Sequence, residues 1–140
     1  MHEEFKVIHR DIKLDNVLFS SRDMKVKLTD FTVARADIEE STRLFDSEGT
    51  PSFTAPECHI VDKEGYAPKP TDIWSFGVSL YAYVHQLVPF YSSGGELEIQ
   101  INSRTKAVEI PPDFSPFLSD LILRVLEKDP AKRLTALEVL

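Results

Sequence analysis

The sequence predicts an α+β fold, mainly α-helical, with one small β-hairpin near its start, and three observations carry that reading. Residues 16–20 are rich in β-branched and aromatic side chains, and residues 25–29 alternate strictly between polar and apolar, as short strands do. In the second half, apolar residues recur at helical spacing between proline and glycine breaks. Residues 30–69, between the two halves, hold neither period. Irregular chain of that length is uncommon in a compact domain unless it serves a function.

Each element has its own local cause. Ser21, Arg22 and Asp23 supply turn chemistry between the two strands. Pro68 and Pro70 are expected to end any helix before them, with Thr71 or Asp72 capping a helix over residues 73–87 that is apolar almost all round and therefore buried on most faces. Gly94 and Gly95 open a more polar helical segment over residues 96–104, despite the alternation of Leu97, Ile99 and Ile101. Residues 115–126 carry Phe117, Leu118, Leu121, Ile122, Val125 and Leu126 at helical spacing, with Ser115 as N-cap and Pro116 in the first position. A last helix begins near Thr135, with Glu138 as its capping-box partner.

Composition excludes several classes. The chain has 140 residues, 16 Lys or Arg against 23 Asp or Glu, a formal charge of −7, and 42% hydrophobic side chains, which is the make-up of one ordinary globular domain. A net acidic chain without a basic stripe lacks the footprint of a nucleic-acid binder. The single cysteine, Cys58, is too few for an intramolecular disulfide or a structural zinc site, so a reducing, intracellular and most simply cytoplasmic setting is expected. No secretory signal stands at the start. The longest apolar run, residues 76–90, contains His85 and Gln86 and falls short of the roughly 20 residues a bilayer demands, so no membrane span is expected.

Five constellations remain. His9-Arg10-Asp11-Ile12-Lys13-Leu14-Asp15-Asn16 precedes the first strand, and Asp30-Phe31-Thr32 follows the second. Gly49-Thr50-Pro51-Ser52-Phe53-Thr54-Ala55-Pro56-Glu57 lies in the irregular region, Asp72-Ile73-Trp74-Ser75-Phe76-Gly77 heads the long helix, and Arg133 precedes the last one. In this order they resemble the catalytic loop, magnesium loop, substrate-docking loop and helical landmarks of the eukaryotic protein kinases, serine/threonine branch. The resemblance covers essentially the whole chain. It implies part of a kinase catalytic domain over residues 1–140, the large C-terminal lobe, with a catalytic loop at 9–16, an activation segment at 30–57 and a helical subdomain at 71–140. The Gly-rich loop, strand lysine and helix glutamate of the family belong upstream of this sequence, so Met1 is expected to be internal to a domain and the N-terminal lobe to be absent. The docking loop and the residues from Lys69 to Val84 look most similar to the calmodulin-dependent kinase kinases and their upstream-kinase relatives.

The resemblance also assigns roles. In phosphoryl transfer, catalysis is mostly positioning plus neutralisation of charge. Asp11 would accept the proton of the substrate hydroxyl, Lys13 would face the γ-phosphate, and Asn16 with Asp30 would hold magnesium, a hard cation that shares phosphate and carboxylate oxygens. Lys13 and Thr50 together mark the serine/threonine class. Leu18 would pack under the adenine of ATP. Asp15 would read basic residues in the substrate, or is only a solvated acid. His9 is read as a core histidine outside catalysis. Asp72 would accept hydrogen bonds from the catalytic-loop backbone, and Glu57 and Arg133 would form a buried bridge. The implied partners are ATP with Mg2+, a protein carrying serine or threonine, and a regulatory protein.

Regulation and departures complete the reading. Arginine before the catalytic aspartate, here Arg10, commonly pairs with a phosphate in the activation segment. The usual phosphorylated position is Asp46, which would give Arg10 a permanent negative charge; the alternative is that Ser47, Ser41 or Thr42 is the modified site. Thr32 replaces a glycine whose backbone freedom a β-branched residue lacks, which is expected to restrict rearrangement of that loop. Leu14 replaces the more usual proline. The primary expectation is a serine/threonine protein kinase, catalytically incomplete over these residues alone. A pseudokinase or scaffold, and a truncated gene product, are the alternatives.

Overall fold

Pro70 sits inside the first turn of a long helix instead of breaking it. The computed structural model describes residues 1–60 and 63–140; residues 61 and 62, part of the stretch expected to be irregular, lie outside the described residues. Its elements are strands β1 (Val17–Ser20) and β2 (Lys25–Leu28), then helices α1 (Lys69–His85), α2 (Glu96–Thr105), α3 (Pro116–Val125) and α4 (Ala136–Val139). Single 3-10 turns cover Leu14–Asn16, Pro51–Phe53 and Pro56–His59. The expected fold class is what the structure has.

The start of α1 corrects the expected boundary. A proline in the first turn forfeits no intrahelical bond, because that N–H has no partner there in any case. The helix therefore begins at Lys69 with Pro68 as N-cap and no side-chain cap, so neither Thr71 nor Asp72 caps it. Thr71 instead donates its hydroxyl to Pro68 O at 2.7 Å, and the Asp72 carboxylate turns to another segment altogether. The helix ends at His85, two residues short of expectation, with Gln86 in the left-handed region. Its early turns are buried, but Tyr83 and Val84 near its end and Leu87 beyond it are exposed, so the apolar run is not buried throughout.

Two clusters hold these pieces together. The larger unites Trp74, Val78 and Tyr81 of α1 with Phe90, Phe114, Ile122, Val125, Leu126 and Leu134. Gly77 lets α1 and α3 approach closely, since a Cβ there would lie 2.7 Å from Val125 Cγ2. The smaller cluster, Ile8, Ile38 and Leu44, ties the first residues to the irregular region, helped by isolated bridges Ile8–Arg35 and Leu44–Tyr66.

The caps expected for the last two helices match the structure. Ser115 accepts Leu118 N–H at 3.2 Å, and Thr135 and Glu138 make both bonds of a capping box. The hairpin pairs Val17 with Leu28 through Ser20 with Lys25, but it is not the half-buried ribbon that alternation implies. Leu18, Phe19 and Val26 are 56%, 61% and 68% exposed, so both faces of the ribbon leave apolar side chains open. α2 is helical as expected, one residue longer, and Leu97 and Ile101 are exposed on it. No helix among the described residues is long and apolar enough to cross a membrane.

Candidate functional site

Asp11 is the centre of a network drawn from two segments. Its Oδ1 accepts the Thr50 hydroxyl at 2.7 Å, and its Oδ2 lies 3.0 Å from Lys13 Nζ and accepts Asn16 Nδ2 at 3.1 Å. Lys13 Nζ also donates to Thr50 Oγ1 at 2.7 Å, and Asn16 Nδ2 to the Asp11 carbonyl at 2.8 Å. Asp11, Lys13 and Asn16 are thus linked to Thr50, which arrives from 39 positions beyond Asp11. Partial burial pushes the Asp11 carboxyl up, but the bonds from Thr50, Lys13 and Asn16 outweigh it and hold the group below the usual aspartate range.

The loop that carries Asp11 is pinned from beneath. Asp72 Oδ2 accepts His9 N–H at 2.8 Å and Asp72 Oδ1 accepts Arg10 N–H at 2.9 Å. Those two bonds fix Arg10 at φ 70°, a left-handed conformation that a side chain adopts only when its surroundings impose it. His2 Nε2 lies 2.8 Å from Asp72 Oδ2, completing the ring of partners around a fully buried carboxylate. Sequence reasoning missed His2, which sits 70 residues from Asp72 in an unremarkable polar stretch. His9 is a core residue: its Nε2 donates to Thr29 O at 2.9 Å and its Nδ1 accepts Asp11 N–H at 3.3 Å, which fits one neutral tautomer.

Asp30 follows β2 after the single residue Thr29 and sits at φ 60°. Its Oδ1 accepts both the Thr32 hydroxyl and the Thr32 N–H, and these bonds hold the carboxyl below its usual range. Phe31 tilts against His9, ring centres 4.7 Å apart. Among the described residues no donor reaches Asp30 Oδ2 or the side-chain oxygen of Asn16. Two free hard oxygens on separate loops fit a magnesium ion shared with phosphate. No group of three His, Cys, Asp or Glu side chains that could cage a metal occurs among the described residues. Asp15 and Leu18 are exposed on the same stretch of chain as Asn16.

The irregular region carries a second charge cluster. Arg35 Nη2 donates to Asp46 Oδ2 at 2.7 Å, while Arg10 Nη2 approaches Asp46 Oδ1 to 3.1 Å at an angle too poor for a hydrogen bond, so that contact is Coulombic. Tyr66 donates its hydroxyl to Asp46 O at 2.6 Å, which fixes the backbone at this point. Ser47 and Ser41 are exposed, and the Thr42 hydroxyl accepts Glu39 N–H at 2.9 Å. Gly49, at φ 99°, passes so close to Arg10 O that a Cβ would lie 2.3 Å from it, which explains glycine there.

Glu57 and Arg133 form the expected buried bridge, 2.6 and 3.0 Å between their paired atoms. Arg133 also donates to Pro70 O and Glu127 O at 2.8 Å each and stacks over Trp74, centroid distance 5.0 Å, so every part of its guanidinium is occupied. Cys58, next to this bridge, is buried; desolvation pushes its thiol up to about 12, leaving it protonated and inert.

All 140 residues match the family model described as the protein kinase domain. The chain is 38% identical over 129 residues to serine/threonine-protein kinase GRIK2 of Arabidopsis thaliana, covering 92% of this chain and 31% of that protein. It is 33% identical over 138 residues to serine/threonine-protein kinase 40 of Xenopus tropicalis, covering 96% of this chain and 30% of the relative, and 33% identical over 144 residues to its Bos taurus counterpart, covering 100% and 32%. The chain thus spans about a third of the length of these curated relatives. With its loops and landmarks in the order described, and its full length matched, the chain belongs to the eukaryotic protein kinases, in the serine/threonine branch.

Proposed function

We propose that the protein containing this chain transfers the γ-phosphate of ATP to serine or threonine hydroxyls of a protein substrate. The observation that carries the reading is the Asp11–Lys13–Thr50–Asn16 network, because a lone aspartate has no reason to be held by three converging donors from two segments. Asp11 orients the attacking hydroxyl and takes its proton as the bond to phosphorus forms. A lowered pKa makes Asp11 a weak base, which suits a loose transition state where the proton leaves late. Lys13, tethered by Thr50, supplies positive charge beside it. Asn16 and Asp30 would hold magnesium through their free oxygens, and that cation would neutralise phosphate charge when bound. The exposed Leu18 is an apolar surface for a base, and Asp15 is an acid open to a basic substrate residue.

Asp46 belongs to the same proposal. Its carboxylate lies between Arg10 and Arg35, where it serves as a permanent counter-charge that sets the activation segment without phosphorylation of Ser47. The protein acts inside the cell, where ATP and Mg2+ are available. The test is phosphate transfer from labelled ATP to a serine- and threonine-containing protein by the full-length protein. Activity that disappears in Asp11→Asn, with folding retained, is the expected result; transfer unchanged by that substitution overturns the reading. The scaffold alternative gains nothing from the geometry, since all four members of the network are present.

A further inference from the structure

We propose that Thr32 is a positioning residue for Asp30: its hydroxyl and its N–H occupy one carboxylate oxygen and leave the other alone to face a divalent cation. The proposal rests on the reading of Asp30 as a cation ligand and adds how this chain orients it.

The two donors converge on a single atom, Oδ1 of Asp30. The N–H bond alone is long, 3.3 Å, so the hydroxyl is the stronger of the two restraints. Asp30 itself is held at φ 60°, whereas Thr32 stays outside the left-handed region, so the strained conformation falls on the carboxylate-bearing residue and its neighbour acts as a clamp. Phe31, between them, is fixed against His9. Three successive residues are thereby anchored by three different contacts. A glycine at position 32 would supply the backbone donor only. A valine would keep the β-branched shape and the backbone donor while removing the hydroxyl, which isolates the restraint in question.

A carboxylate with one oxygen already bonded binds a cation through the other oxygen alone. It also loses less rotational freedom on binding, because its orientation is set beforehand. Thr32 therefore influences cation affinity without touching the cation, and the effect is separable from turnover.

The experiment uses the full-length protein with ADP and Mn2+ as a paramagnetic probe, free Mn2+ being read by electron spin resonance. The Mg2+ concentration for half-maximal phosphate transfer is measured in parallel, apart from kcat. Loss of a hydrogen bond to a charged acceptor at an open site is expected to weaken Mn2+ binding about three- to tenfold in Thr32→Val and Thr32→Gly, with Thr32→Ser restoring it to within about twofold. Unchanged or tighter Mn2+ binding in Thr32→Val overturns the proposal, as does a Thr32→Ser variant as weak as valine. Asp30→Asn separates the two levels: if it leaves Mn2+ binding intact, Asp30 is not the ligand and both readings fall, whereas a loss there beside a silent Thr32→Val removes Thr32 alone.

Discussion

Arg133 grips Glu57 through two parallel N–H···O bonds, 2.6 Å to Oε1 and 3.0 Å to Oε2, joining segments 76 residues apart. The pair is buried and the guanidinium has further carbonyl partners, so removing either member leaves a desolvated charge without its match. Arg133→Ala and Glu57→Ala are each expected to cost about 3–5 kcal/mol of stability. The double variant is expected to cost less than the sum, and a double-mutant cycle by urea denaturation checks it.

Thr50 controls how Asp11 titrates. The folded value is depressed, so Asp11 contributes stability above the ordinary aspartate range and loses that contribution as pH falls through its lowered value. Thr50→Val removes a donor that lowers the pKa. The Asp11 titration is expected to shift to higher pH, and the acid-side loss of stability with it, as read by carboxyl carbon NMR and by denaturation across pH.

Asp46→Ala removes the charge that both Arg10 and Arg35 approach. Phosphate transfer by unphosphorylated full-length protein is expected to fall at least about tenfold, the scale of one lost charge-assisted contact. Arg35→Ala, which removes an exposed partner only, is expected to have the smaller effect. Equal activity of Asp46→Ala and the parent would remove the counter-charge proposal.

Gly49→Ala tests the close approach to Arg10 O. The added Cβ meets a backbone oxygen at 2.3 Å and an unfavourable φ, so the loop must shift. A stability loss of about 1–3 kcal/mol is expected, with a larger loss of activity than of folding. Thermal denaturation and phosphate transfer, measured together, give both.

Cys58 is expected to resist alkylation. With its thiol pushed up to about 12 by burial, the folded protein at neutral pH carries essentially no thiolate there. Iodoacetamide should label it only after denaturant is added, as mass spectrometry would record.

Much of this architecture is legible in residue order. The Ser115 N-cap and the Thr135–Glu138 capping box follow from local hydrogen-bonding rules, and the hairpin from one β-branched and aromatic segment, one alternating segment and the turn residues between them. The juxtapositions of Arg10 with Asp46 and of Glu57 with Arg133 were accessible because the motifs that carry them imply their partners. What could not be read was set by tertiary context. Proline chemistry alone does not say whether Pro70 breaks a helix or opens one; the first-turn position decides it. The exposure of Val26 runs against the alternation of its strand, because period two gives a buried face only if something covers it. His2 meets Asp72 through the fold of the whole chain, and no local pattern signals that contact. The loss of glycine at Thr32 was visible, but its hydroxyl turning back on Asp30 was not.

Trp74 is the sole tryptophan of the chain, and its surroundings make it a built-in optical probe. The indole is fully buried, stacked on Phe90 at 5.5 Å, with Arg133 and Lys128 over its ring and its Nε1 without a hydrogen-bond partner among the described residues. Two cations at its face and a dry environment give it an emission distinct from a solvated indole. Loosening of the Arg133–Glu57 grip would register there first, so fluorescence without any label can follow the helical half while the catalytic loop is assayed separately.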